Sequence, residues 1–438
     1  MLKKILSLCA CLVLAAYAKP EIKITLDKED HLYKCGEQAV FTVEVTEEGR
    51  KLTDKVETVF SLDGGKTIKK ATQNLADANP FTLQGTLDKP GFLRLTVTLR
   101  QKVEGNPKPV ITSGIAAVGY EPLKIKTGAP EPADFLTWWK GELAKAEKEI
   151  PLDVRQESIA CKSKGFKAYK VSFAAPGGRV YGFLSVPEKP GKYPVAVSVP
   201  GAGPGQAVPG ITSGMVTLVM NVHPYDPIAP EGKTIKDLYN ELNTVDGKRL
   251  LYMFHGGPDR EKIFYYRAII GIMRSLLWLE KQEYVNPEKM CYYGGSQGGA
   301  FGLILGGFYG RFQAIVCNVP AMCDHLGNLD DGRRPGWPQY MLHSTFSKDA
   351  AAAKATVPYY DGANFGRHIT CPIRFIVGFI DNTCPPSCVY ATYNALGSKD
   401  KQIINCVDMG HSGNPAFNEA IKWARALVNP PKTPAPKK

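Results

Sequence analysis

No two cysteines in this chain are spaced Cys-x-x-Cys, and none stands with a histidine at the spacing of a zinc site. A redox dithiol and a structural zinc therefore have no basis in the sequence. After the first eighteen residues, no apolar run is long enough to cross a bilayer. The formal charge is +12, yet the lysines are scattered apart from the closing PPKTPAPKK, and no basic stripe carries interleaved aromatics. That pattern argues against nucleic acid as a partner and for a solvated, lysine-rich surface.

What is present begins with a leader. In MLKKILSLCACLVLAAYA, Lys3 and Lys4 precede an apolar run from Ile5 to Ala16, and Ala16-Tyr17-Ala18 forms an A-x-A cleavage site. The pattern predicts a signal peptide over residues 1–18, cleavage after Ala18, and a secreted or periplasmic protein. Eleven cysteines then become nine, an odd number, so at least one lacks a partner within the chain. Cys291 and Cys317 stand in apolar runs and are expected to be buried thiols.

A chain of 438 residues suits two domains. Residues 19–122 follow a period of two. Leu93, Leu95, Val97 and Leu99 alternate with Arg94, Thr96, Thr98 and Arg100, and Phe41, Val43 and Val45 share one side. Such strands have one buried face, with Asp63-Gly64-Gly65 as a hairpin turn. The expectation is an all-β, Ig-like sandwich with no catalytic cluster, serving to space or dock its neighbour. Residues 123–134 are a Pro/Gly-rich linker. A helix follows, with Phe135, Trp138, Trp139 and Leu143 at helical spacing.

Over residues 135–428 apolar strand-like runs (YPVAVSVP, VTLVMNV, KMCYYGG, FQAIVCNV and PIRFIVGFI) are separated by helical stretches such as 265–281 and 296–308. This predicts an α/β domain with a doubly wound, mostly parallel sheet, and places any ligand at the carboxyl ends of its strands. Residues 429–438 are a Pro/Lys-rich tail.

Within KMCYYGGSQGGAFGLILGGF, Gly294 to Gly298 fits G-x-S-x-G at a change from strand to helix. In that context Ser296 stands at a nucleophile elbow, and the Gln297 amide at the helix start can face a developing oxyanion. A serine hydroxyl needs a base, and the base an orienting acid, in the chain order Ser, acid, His. His31, His223 and His255 precede Ser296, and His325, His343 and His368 do not follow a late strand. His411 does, in QIINCVDMGHSG. No glutamate lies between residues 296 and 411, so the acid is an aspartate. Asp381, just after IRFIVGFI, is preferred to Asp408 and Asp361. A second oxyanion donor is expected from the loop after VSV, at the Ala202 amide.

GGSQGG, GFIDNTCPPS, YYDGANFGRHITCP and the final GH resemble the acetyl xylan esterase/cephalosporin-C deacetylase family, carbohydrate esterase family seven. PADFLTWWKGEL resembles its opening helix, and FYYRAIIGIMRSLLWL the helix before the nucleophile strand. The likeness runs from about Pro132 to Ala426. It implies an α/β-hydrolase fold with no metal and no cofactor, Ser296, Asp381 and His411 as triad, and Gln297 with Ala202 as amide donors. The substrate it implies is an acetylated carbohydrate.

Three motifs depart from the family. Its H-G-Y reads Pro200-Gly201-Ala202, its R-G-Q-G reads His223-Pro224-Tyr225-Asp226, and its G-H-E reads Gly410-His411-Ser412. The first change removes a tyrosine that would shape the acetyl pocket. The others bear on the family's ring-shaped homo-oligomer. A prolyl-oligopeptidase-like peptidase and a broader carboxylesterase share the fold and triad. The non-enzyme alternative is a glycan-binding protein with an inactive hydrolase domain.

Overall fold

The structure, a computed structural model, describes residues 19–102, 106–128 and 130–430. The leader over 1–18 and residues 431–438 of the tail lie outside them.

Residues 21–120 form two sheets. One holds Glu21–Leu26, Ala39–Glu47, Arg50–Lys51 and Phe81–Gly85; the other runs Leu32–Tyr33, Val110–Tyr120, Gly91–Gln101, Lys55–Leu62 and Thr67–Asn74. Phe41, Val43, Val45, Leu93, Leu95, Val97 and Leu99 meet between them, each at most 1% exposed. Alternation predicts this, because residues two apart share a face. One residue breaks the expected pattern. Arg94 falls on the face expected to meet solvent, yet it is buried, because that end of the strand docks against the rest of the chain.

The larger part is built on a nine-stranded mixed sheet. Its spatial order is Arg155–Ile159, Phe166–Ala175, Gly178–Pro187, Val216–Asn221, Tyr193–Ser198, Val285–Gly295, Ala314–Asn318, Ile373–Gly378 and Lys401–Cys406. The first three pairings are antiparallel and the remaining five parallel. The central strands are buried on both faces. In Ala314–Asn318, Ile315 and Cys317 join the core under the helices Phe264–Leu279 and Gln297–Tyr309, while Ala314 and Val316 join the core under Pro415–Val428. Two covered faces require an uninterrupted apolar strand, which is what the sequence carries there. This is the α/β-hydrolase architecture.

All nine cysteines among the described residues are unpaired, and Cys291 and Cys317 are fully buried. No helix among the described residues is long and apolar enough to cross a membrane.

Candidate active site

Because the last six strands in this order run parallel, their carboxyl ends open on one edge. Ser296 follows Val285–Gly295, Asp381 lies three residues beyond Gly378, His411 five beyond Cys406, and Ala202 four beyond Ser198. Sequence positions up to 209 apart thus reach one edge of the sheet.

Ser296 has φ 56° and ψ −121°, outside the ordinary regions for a residue with a side chain. Such a conformation costs roughly 1–3 kcal/mol and persists only where the surroundings enforce it. Here they do. The Ser296 amide donates to the Asn318 carbonyl (2.9 Å), and the Ser296 carbonyl accepts from the amides of Ala300 and Ala321 (3.0 Å each). Two glycines let the turn close. A Cβ at Gly294 would stand 2.5 Å from the Gly298 carbonyl, and one at Gly298 would stand 2.0 Å from the Val199 oxygen. Backbone cannot swing aside as a side chain can. Gly298→Ala is therefore expected to push the elbow away from the strand behind it and lower kcat on the order of 100-fold. Steady-state kinetics on an acetyl ester, with a melting temperature to confirm folding, check this.

The three predicted triad members come together. The Ser296 hydroxyl lies 2.9 Å from His411 Nε2, and His411 Nδ1 lies 2.8 Å from Asp381 Oδ2. Asp381 is fully buried, and its Oδ1 accepts from the amides of Thr383 (2.7 Å) and Cys384 (2.9 Å). One carboxylate oxygen is thus fixed by the backbone and the other left to the imidazole. The His411 loop packs tightly on its neighbour: a Cβ at Gly378 would meet the Met409 carbonyl at 2.4 Å, and the Ile380 amide donates to that same carbonyl. Ser412, where the family has glutamate, offers its carbonyl to Asn318 Nδ2 (3.1 Å).

The rival acids are elsewhere. Asp361 accepts from the amides of Asp324, His325 and Ala363 and organises its own loop. Asp408 is exposed, and Nδ1 of His411 is engaged by Asp381 instead. Of the other histidines after Ser296, His368 pairs with Glu131, His343 stacks on Phe254 and His325 is buried beside Tyr340.

The Gln297 amide opens the helix Gln297–Tyr309, where the first amides have no intrahelical acceptor. The Pro200–Gly203 loop flanks the serine: a Cβ at Gly201 would lie 3.8 Å from that of Ser296. The side chain of Gln297, which no motif singles out, ties the two together. Its Nε2 donates to the Pro200 carbonyl (3.4 Å), while its Oε1 accepts from the hydroxyls of Tyr252 (2.6 Å) and Tyr265 (2.8 Å). Those tyrosines precede Gln297 by 45 and 32 residues, and no spacing rule marks them.

Asp381, Cys384 and His411 each offer a donor atom within 4.8 Å of the others. Two of the three already bond one another. Burial, with Asp381 nearby, pushes the Cys384 thiol well above its ordinary value, so it is held as a neutral S–H. A metal needs a thiolate and a free ring nitrogen; this arrangement suits proton transfer instead.

His223, at the start of the altered family motif, is fully buried among Tyr225, Tyr239, Tyr252 and Phe264, with no hydrogen-bond partner among the described residues on either ring nitrogen. Burial, aided by the Arg267 charge, holds its imidazole down to about 3. The folded state therefore refuses a proton that the unfolded chain takes up below roughly 6.5. Stability from this group is full above that value and falls as pH falls. Between pH 7 and 5 the loss is about 2 kcal/mol. Urea unfolding at the two pH values should show a drop smaller by that amount in His223→Phe.

A family model for acetyl xylan esterase (AXE1) matches residues 120–427. The acetyl esterase Axe7A of Xylanibacter ruminicola is 29% identical over 412 residues, covering 91% of this chain and 89% of that protein. Among solved structures, the acetyl xylan esterase of Paenibacillus sp. R4 superposes with a TM-score of 0.58 at 22% identity. Acetyl xylan esterase 1 of Thermoanaerobacterium sp. JW/SL YS485 superposes with 0.56 at 17%. Each match covers 70% of this chain and 98% of the other, and at these identities the likeness concerns the fold.

Proposed function

Since the chain belongs to the acetyl xylan esterase (AXE1) family and is a carbohydrate esterase, we propose that it is a secreted serine hydrolase. It removes acetyl groups from xylan or xylo-oligosaccharides through an acetyl-Ser296 intermediate. The observation that carries this reading is the unbroken chain Ser296–His411–Asp381, with links of 2.9 and 2.8 Å.

The chemistry follows from that geometry. Ser296 Oγ attacks the acetyl carbonyl carbon while its proton passes to His411 Nε2. Asp381, acceptor-only and buried, stabilises the imidazolium that forms. The amides of Gln297 and Ala202 hold the oxyanion, fixed dipoles that need no reorganisation. Collapse breaks the bond to the sugar oxygen, which leaves with the proton from His411. Water, deprotonated by the same nitrogen, then attacks the acetyl-serine; the bond between Ser296 Oγ and the acyl carbon breaks, Oγ takes the proton back from His411, and acetate is released. None of these steps calls on a cofactor or metal. Export is supported by the leader sequence.

Acetate release from acetylated xylo-oligosaccharides, set against p-nitrophenyl esters of lengthening acyl chain and a prolyl amide, tests the substrate class. Acetyl should be the preferred acyl group; faster turnover of the prolyl amide would overturn the reading.

A further inference from the structure

Asp63 and Arg94 belong to the N-terminal sandwich, yet both are buried to 1% where it meets the larger part of the chain. Taking charges out of water is costly unless they are paired and hydrogen-bonded, and a plain docking surface would be as stable with apolar residues in their place. Among the described residues every polar side-chain atom of this pair except Arg94 Nε has a partner. What they bond is informative. Arg94 Nη2 donates to Asp63 Oδ1 (2.9 Å) and to the backbone carbonyl of Asp381 (2.8 Å), while Nη1 donates to Asn382 Oδ1. Asp63 Oδ2 accepts from the Ser387 amide (2.9 Å) and hydroxyl (2.7 Å). The segment 381–387 is thus gripped at both ends from another part of the chain. It is the segment whose amides at 383 and 384 fix Oδ1 of Asp381.

The grip is braced on both sides. Phe92 packs edge-on against Phe379, with ring centroids 5.0 Å apart. The hairpin that carries Asp63, itself at φ 46°, lies flat on the loop near 332: the Lys66 amide donates to the Gly332 carbonyl (2.9 Å), and a Cβ at Gly65 would stand 2.4 Å from that oxygen.

We propose that the sandwich is a working part of the active site, with Arg94 and Asp63 as a positioning pair that holds the acid loop so that Asp381 Oδ2 faces His411. This rests on the reading of Asp381 as the triad acid. Neither residue touches substrate. The guanidinium fork fixes the peptide that carries Asp381, and the carboxylate fixes the guanidinium.

The test is the double variant Asp63→Asn/Arg94→Met, which removes both charges and so leaves neither buried alone. Beside it stand Arg94→Lys, Gly65→Ala and Asp381→Asn. On p-nitrophenyl acetate, with active molecules counted by fluorophosphonate labelling, the double variant should lose about ten- to a hundred-fold in kcat with KM within about two-fold. The acid limb of kcat/KM should move to lower pH, because an imidazolium facing a displaced carboxylate is less stabilised. Arg94→Lys should recover part of the loss. Gly65→Ala, which lifts the hairpin without touching the pair, should show the same signature, and it decides the matter if the double variant yields no folded protein. Wild-type kcat per active molecule with an unmoved pH profile, whatever the melting temperature, would overturn the proposal. If Asp381→Asn retained full activity, the triad assignment itself would have failed; loss there with wild-type kcat in both the double variant and Gly65→Ala would sink the positioning role alone.

Discussion

Ser296→Ala should lower acetate release from acetylated xylan on the order of 10⁵-fold while leaving the melting temperature near that of the wild type. The size follows from what is removed. On the proposed mechanism no covalent intermediate then forms, and only the proposed oxyanion donors and substrate positioning remain to speed attack by water. The silence in stability follows from the structure. The side chain's hydrogen bond is to His411, and alanine keeps the Cβ, so the elbow at φ 56° is no more strained than before. A large loss of activity together with a large loss of stability would point to a structural serine instead. Initial rates and a thermal melt on the same preparation separate the two.

Asp381→Asn should cost on the order of 10⁴-fold in kcat, with KM little changed. The argument is one of tautomers. Oδ1 accepts from the amides of Thr383 and Cys384, so the oxygen of an asparagine must stay on that side. Its NH₂ is then turned toward Nδ1 of His411, where the carboxylate oxygen had accepted. A donor facing that nitrogen makes it the acceptor, which moves the ring proton to Nε2. The nitrogen facing Ser296 then carries a hydrogen and cannot take the serine's proton. The backbone clamp on Oδ1 is what prevents the amide from flipping to escape this. Activity within about ten-fold of wild type would mean that Asp381 does not set the tautomer.

The juxtaposition of Ser296, His411 and Asp381 at the candidate site was legible where chemistry constrains local sequence. Ser296 had to stand between a strand and a helix, and the glycines at 294 and 298 are the side chains that a closed elbow excludes. The chain order expected of a triad, the placement of His411 after a late strand and the lack of glutamate between 296 and 411 restricted the acid to the aspartates of that segment, and position just after a strand favoured Asp381 over Asp361 and Asp408. The parallel strands were legible for a related reason, since burial on both faces demands unbroken apolar runs.

What escaped notice depends on contacts between distant segments. Period-two alternation says which residues share a face, but not what covers that face, so Arg94 reads like Thr96 and Arg100 until a second body is docked on it. Likewise Tyr252 and Tyr265 look like ordinary helix and loop aromatics, and only the fold brings both hydroxyls to Gln297. The antiparallel strands over 155–187 went unremarked because the hairpin Phe166–Pro187 carries charged residues among its apolar ones and resembles neither a buried parallel strand nor a helix.

The most direct test of the covalent mechanism is peptide mass analysis of enzyme quenched in acid during steady-state turnover of an acetyl ester. An acetyl group on the peptide that carries Ser296, absent when the enzyme is quenched without substrate and absent from Ser296→Ala, is the predicted result. Acetate released at the full rate by enzyme whose Ser296 peptide stays unmodified, and at the same rate by Ser296→Ala, would contradict it.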